Sequence, residues 1–210
     1  LYRQCGLPNA ACERLVSLVY CLTDGAYALM AEKQEFSRQE RLSLIAFSYL
    51  RKCEFDQISK ALFGILDDNM SEIAPTGNTI EEDYRTWHQA VGEGLGKSNR
   101  QIILISDSDI DSIIGYFQYY TNEDTFMMEE IQMIKSYQGK QVFRQLYRYV
   151  LPQLHSNIRF VEAYANKKNL RSNGILVHMG LSITGENRSG SSWRYKGDYD
   201  SLLNWFNQQN

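Results

Sequence analysis

Long apolar runs, basic clusters and paired cysteines are all missing from this chain of 210 residues. No apolar stretch approaches the roughly 20 residues that a membrane-spanning helix needs, and no secretory signal is visible, so neither a membrane nor export is expected. No run of Lys and Arg forms an electrostatic footprint and the formal net charge is -3, so nucleic acid is not an expected partner. The four cysteines, Cys5, Cys12, Cys21 and Cys53, lie in the first quarter and make no C-x-x-C pair; His88, His155 and His178 are scattered far from them. Without clustered soft ligands no metal site is expected. Reduced, mostly buried thiols in a cytoplasmic protein are the expectation instead. The chain begins at Leu1 rather than Met, which leaves room for a preceding segment.

What is present suits a folded chain. A hydrophobic fraction of 43% with 22% charged residues argues against disorder. The length suits one domain, or a core domain with a helical extension. From Asn9 to Asp68 the apolar spacing is helical: Leu15, Leu18, Val19 and Leu22, then Leu42, Ile45, Ala46, Tyr49 and Leu50. Ser37 with Glu40 makes a capping box for the second of these helices. Phe55, Ile58, Leu62, Phe63 and Leu66 form the stripe of a third, and the aromatics Tyr27, Phe36, Phe47, Tyr49 and Phe55 are read as core. Asn69 to Asn78, with Pro75 and Gly77, is a connection, after which Thr79 caps a helix over Ile80 to Val91. Gly92, Gly94 and Gly96 follow a helix and precede a strand, the reverse of a dinucleotide fingerprint, and are read as cap and loop glycines.

Beyond Asn99 the pattern changes. Gln101 to Ile105, Ile113 to Tyr120 and Thr125 to Ile134 are rich in β-branched and aromatic residues and read as strands. Between the first two, Asp107, Asp109 and Asp111 lack the glycine and terminal Glu of a calcium loop and read as a solvated hairpin. A helix over Val142 to Leu151, a break at Pro152, a strand over Ile158 to Ala165, a helix over Asn169 to Met179 ended by Gly180, two short strands and a last helix from Tyr199 complete the order. That order predicts an α/β (α+β) fold with a mixed sheet rather than a doubly wound parallel one.

One stretch carries chemistry of its own. Tyr137-Gln138-Gly139-Lys140-Gln141-Val142-Phe143 joins a strand to a helix. Such a turn offers free backbone N–H groups and the positive end of the helix dipole to a phosphate, and Lys140 adds a cation. The same arrangement also occurs in α/β domains that bind nothing, so the turn alone leaves both readings open.

That turn, the order of elements from Ile80 onward, and the later string Asn169-x-x-Ser172-x-x-x-Leu176-x-x-x-Gly180-Leu181 together resemble the GNAT superfamily of acyl-CoA-dependent N-acyltransferases. The resemblance covers roughly the C-terminal 130 residues and implies a mixed, mostly antiparallel sheet flanked by helices at 75–210, behind a helical region at 1–74 that stands where the family has its first strand. It implies acetyl-CoA as cosubstrate, with the pantetheine chain against the main chain of Met133, Ile134 and Lys135. The diphosphate would lie on Gln138, Gly139, Lys140, Gln141, Val142 and Phe143, and Asn169 and Ser172 would stand near the cofactor arm. Gln141 and Phe143 occupy positions where the family has glycines. Leu176 fills the slot of a proton-donating tyrosine, so another acid, a water or an unaided thiolate would be needed, with Tyr164 and His178 as conceivable substitutes.

The resemblance also implies a carboxylate base on the strand before the turn. Strand alternation puts Glu129 and Glu130 on opposite faces, and Glu130 is taken as the base. The expected reaction is direct acetyl transfer to a primary amine on a small molecule or peptide, with Tyr195, Lys196 and Asp198 toward the acceptor. A homodimer is compatible with this. The alternatives are a GNAT-like domain that binds coenzyme A without turnover, as a binding or regulatory module, and an unrelated α/β protein whose turn merely links strand to helix.

Overall fold

Residues 45–139 and 141–208 are described by a computed structural model, and its first element corrects the sequence reading. Ile45–Tyr49 is a strand, β1, not part of a helix. These residues satisfy both periods: Ile45, Phe47 and Tyr49 are half-buried while Ala46 and Ser48 are exposed. A partner decides between them, because β1 pairs antiparallel with the strand at Arg100–Asp107, and Phe47 and Tyr49 pack against the ring of Tyr149. The preceding residues, including the Ser37 capping box and Cys5, Cys12 and Cys21, lie outside the described residues. Cys53 is exposed, contrary to the expectation of burial.

Helix α1 (Phe55–Met70) buries Phe55, Leu62, Phe63 and Ile65. Helix α2 (Ile80–Gly94) starts at the expected cap: the Glu82 carboxylate accepts from Thr79 N at 2.9 Å, and the Thr79 hydroxyl accepts from Glu82 N. Three antiparallel strands follow, β2 (Arg100–Asp107), β3 (Ser112–Asn122) and β4 (Thr125–Met133). Then come α3 (Val142–Val150), β5 (Phe160–Asn166), α4 (Leu170–His178), β6 (Ser182–Glu186), β7 (Ser192–Asp198) and α5 (Tyr199–Gln208). The expected hairpin joins β2 to β3 with Asp109 and Asp111 exposed, but Asp107 is buried, its carboxylate accepting from Asp109 N and the Tyr137 hydroxyl.

The sheet has the order β1-β2-β3-β4-β5-β7-β6, and only the β4–β5 pair is parallel. Helices α1 and α2 cover one face, where Tyr116 packs with Leu62, Phe55 and Val91 and meets the ring of Trp87. Helix α3 covers the other, with Tyr147 against Phe117. The compact unit runs from Ile45 to Asn210, so 45–74 belongs with the sheet rather than to a region apart from it. The physical reason is that β1 extends the sheet and α1 supplies half of its cover. Among the described residues no helix is long and apolar enough to cross a membrane.

At Gly115 on β3 a Cβ would lie 2.5 Å from the carbonyl oxygen of Gln132 on β4. Gly115→Ala should therefore destabilise the protein by about 1–3 kcal/mol, by prying these strands apart. Urea unfolding followed by circular dichroism measures this as a lower midpoint at unchanged slope.

Candidate active site

Strand β4 keeps company with β5 for only half its length. The two pair from Thr125↔Phe160 to Met128↔Ala163 and no further, although β4 runs on to Met133 and β5 to Asn166. A β-bulge produces the parting: Tyr119 opposes Met128 and Gln118 opposes Glu130, so Glu129 is an extra residue on β4. Bulges bend a strand and deepen its twist. Because Ile134 N donates to Ile114 O at 2.9 Å, alternation turns the main chain of Met133 toward the gap and that of Ile134 away from it. The Ile134 N–H is thus engaged with β3 and not offered to a ligand.

The same bulge overturns the expectation that Glu129 and Glu130 face opposite ways. Both carboxylates lie on the face covered by α1 and α2. Glu129 accepts from Gln118 Nε2 at 2.6 Å and pairs with Arg100 Nη2 at 2.8 Å. Glu130 accepts from Gln132 Nε2 at 3.2 Å and stands beside Tyr116 and Trp87. Burial pushes the Glu130 carboxyl above the usual carboxylate range; Gln132, Tyr116 and Trp87 pull against that, and the charge on Glu129 adds to it. Burial and the neighbouring Glu130 also push the Tyr116 hydroxyl well up, so it remains a neutral donor. The Tyr116 hydroxyl and Trp87 Nε1 are buried and make no hydrogen bond of ordinary geometry with the described residues. Sequence reasoning missed Tyr116 and Trp87, whose apolar and aromatic surroundings read as core.

The turn after β4 has the shape its residues suggested. Gly139 has φ 79° and Gln141 φ 59°, the left-handed region that favours glycine. Lys140 lies outside the described residues. The amides of Gly139, Gln141, Val142 and Phe143 have no main-chain acceptor among the described residues. Phe143 is half-buried, its ring 5.0 Å from that of Tyr147 one helical turn on. Lys135 is exposed, and its carbonyl accepts from Gln138 N.

Gln138 does more with its side chain than the motif suggested. Its Nε2 donates to Met133 O at 2.9 Å and to Asn69 Oδ1 at 3.2 Å, while its Oε1 accepts from Arg171 Nη1 at the start of α4. Met133 O accepts a second bond from Asn69 Nδ2. Asn169 is the N-cap of α4, its Oδ1 accepting from Ser172 N at 3.0 Å, and Leu176 is buried on that helix. The structure thus brings the ends of α1, β4, the turn and α4 together.

Of the remaining candidates, Tyr164 is 44% exposed on β5, two residues from Glu162. Arg194 and Lys196 of β7 both bond the Glu162 carboxylate. Burial pushes that carboxyl up, but these two cations outweigh it and hold it below the usual range. Tyr195 turns the other way and donates to Asn173 Oδ1. His178 packs edge-on against Trp205. A hollow of about 280 Å³ between α1 and the end of β4 is lined by Ile65, Asp68, Asn69, Ile134 and Lys135, and excludes Glu130. Among the described residues no group of His, Cys, Asp and Glu could hold a metal ion.

No family model and no curated protein matches the sequence. Solved structures do match. The PaiA N-acetyltransferase of Thermoplasma acidophilum, in complex with coenzyme A, superposes with a TM-score of 0.60 at 12% identity, over 74% of this chain and 99% of that one. FdhC, a nucleotide-linked sugar GNAT, gives 0.55 at 14% identity over 79% and 93%. The spermidine N-acetyltransferase of Vibrio cholerae, in complex with coenzyme A and spermine, gives 0.53 at 14% identity over 77% and 99%.

The chain has the GNAT fold. Within it, β1 is the first strand that the sequence reading had replaced by helix, and the parted strands and the glycine-poor turn stand at one end of the sheet. Gln141→Gly should remove the left-handed strain at the N-cap of α3 and stabilise the protein by up to about 1 kcal/mol. Thermal melts check this; a lower melting temperature would mean that the Gln141 side chain holds the turn.

Proposed function

We propose that this protein is an acyl-CoA-dependent N-acyltransferase that moves an acetyl group from acetyl-CoA directly to a primary amine. The observation that carries the reading is Glu130: a half-buried carboxyl of raised proton affinity, set where the sheet opens, with a turn of free amides at the same end of β4. The residues present fit the cosubstrate in kind. Free N–H groups at Gly139, Gln141, Val142 and Phe143, with the Arg171 guanidinium beside the turn, suit a diphosphate, and Lys140 belongs to the same segment. The Met133 main chain, with Lys135 after it, borders the gap for a pantetheine arm, and Asn169 and Ser172 fix the start of α4 beside it. Acetyl-CoA would supply the thioester carbonyl as electrophile.

An amine attacks only when neutral, so a proton must leave it. Glu130 takes that proton; its raised affinity brings it nearer to the amine than an ordinary carboxylate. The Gln132 side-chain amide donates to Glu130 and keeps it in place, with Tyr116 and Trp87 packed beside it. Leu176 has no proton to give, and His178 is packed on Trp205. Tyr164, exposed on a strand bordering the gap, is the hydroxyl available to protonate the leaving thiolate. Holding amine and carbonyl together in a narrow cleft supplies much of the acceleration.

A second reading is a module that binds coenzyme A without turnover. It is favoured by Gln141 and Phe143 in glycine positions and by the Met133 carbonyl, which already accepts from Asn69 and Gln138. Calorimetric titration with acetyl-CoA, followed by thiol release across polyamines, amino acids, aminoglycosides and peptides, separates the two. Binding with release supports the transferase, binding alone the module, and no binding at millimolar cofactor removes both.

Glu130→Gln should lower kcat by about 10²–10⁴-fold while leaving coenzyme A bound. In the wild type, activity should fall as pH drops through the raised Glu130 value. Stability has the opposite sign. A carboxyl whose folded pKa is raised stabilises fully below its unfolded value and loses that contribution as pH rises through the folded one. The melting temperature of Glu130→Gln should therefore gain on the wild type between pH 4 and pH 8. Equal differences across that range would mean that Glu130 is not perturbed.

A further inference from the structure

Four hydrogen bonds join the Glu130 carboxylate, through the turn, to Arg171 in one unbroken line. Glu130 Oε1 accepts from Gln132 Nε2 at 3.2 Å. Gln132 Oε1 accepts from Asn69 Nδ2 at 3.0 Å. Asn69 Oδ1 accepts from Gln138 Nε2 at 3.2 Å, and Gln138 Oε1 accepts from Arg171 Nη1. Every amide donates toward Glu130 and accepts from the Arg171 side, so the dipoles are all aligned, with a carboxylate at one end and a guanidinium at the other. Chains of hydrogen bonds polarise one another, and ionised ends strengthen them. The line also crosses four elements: β4, the end of α1, the turn and α4. Gln132 is 8% exposed, which shields its bonds from water.

We infer that Gln132, Asn69 and Gln138 are positioning residues through which occupancy of the α3 turn is felt at Glu130. Resting on the transferase reading, this names the device that would ready its base. A diphosphate on the turn competes for Arg171, the outer end of the line. Drawing the guanidinium off Gln138 Oε1 weakens the donors in turn, down to the bond that Gln132 makes to Glu130. The bound cosubstrate thereby raises the proton affinity of the base at the moment it is needed. The other groups acting on Glu130 are Tyr116 from β3, Trp87 from α2 and the Glu129 carboxylate, itself held by Arg100 from β2. None of these belongs to the line.

Linkage supplies the test, because a ligand that alters a group's proton affinity must bind with an affinity that depends on that group's protonation. Carbon-13 NMR of side-chain-labelled glutamate, with Glu130 assigned by its loss in Glu130→Gln, gives its midpoint with and without coenzyme A. The midpoint should rise on adding coenzyme A. In calorimetry, the coenzyme A Kd should differ by about fivefold across that midpoint in the wild type beyond its change in Glu130→Gln, which removes the ligand's own titration from the comparison. Asn69→Leu and Gln132→Leu should each still bind coenzyme A but abolish the extra pH dependence, and the double variant should do no more than either single one. In the free protein both should raise the Glu130 midpoint, since Gln132 loses the partner that fixes it in Asn69→Leu and is itself removed as a donor in Gln132→Leu.

A wild-type midpoint unmoved by coenzyme A, or leucine variants that keep the full dependence, would overturn the inference. If coenzyme A does not bind, the transferase reading fails, and an unchanged Glu130 midpoint in the free leucine variants would then overturn the positioning role separately. Loss of turnover in Glu130→Gln with an unaltered midpoint in Asn69→Leu would leave the base standing and remove the relay.

Discussion

The extra residue in β4 is the constraint on which the rest of the site hangs. Antiparallel pairing with β3 holds β4 firmly on one side, so the bulge at Glu129 is absorbed on the other, where pairing with β5 stops at Ala163. Strand β5 cannot follow, because it remains paired with β7 along its whole length from Phe160 to Asn166. A gap in the middle of a seven-stranded sheet results, with unpaired main chain on its borders. Ordinarily such groups would be a liability. Here side chains of Asn69 and Gln138 take up part of it, both donating to the Met133 carbonyl.

The bulge also sets the electrostatics. Without it, one of two adjacent glutamates would face α3. With it, both lie under α1 and α2, and like charges side by side cannot be equally comfortable. The structure divides the roles. Glu129 receives Arg100 and Gln118. Glu130 receives only the side-chain amide of Gln132, with the Tyr116 hydroxyl and Trp87 N–H near by, and its proton affinity rises. A buried carboxyl beside a second carboxylate is a common way for a fold to raise one group's proton affinity.

Much of the architecture was legible in the chain. The cap at Thr79, the strands from Arg100 to Met133, the helix after Gln141 and the glycine stop at Gly180 are local features, set by side chains bonding their own backbone or by hydrophobic period. The turn at Gly139 was legible for the same reason. What misled was ambiguity of period: Ile45, Phe47 and Tyr49 fit either a helix face or a strand, and only the free edge of β2 settles which. The face of Glu130 misled for a related reason. Alternation assumes an unbroken ladder, and a bulge is a relation between two strands that neither one announces.

The sequence by itself determined the order of most elements, the Thr79 cap and the presence of a tight turn before α3, because those depend on residues within a few positions of one another. Tertiary structure alone decided that Glu129 and Glu130 share a face and that Trp87 and Tyr116 close over the second of them. It also decided that Asn69, Gln132, Gln138 and Arg171 make one hydrogen-bonded line. Those residues are separated by up to about a hundred positions, and their contacts exist only once the sheet has opened at β4 and the helices have packed on it.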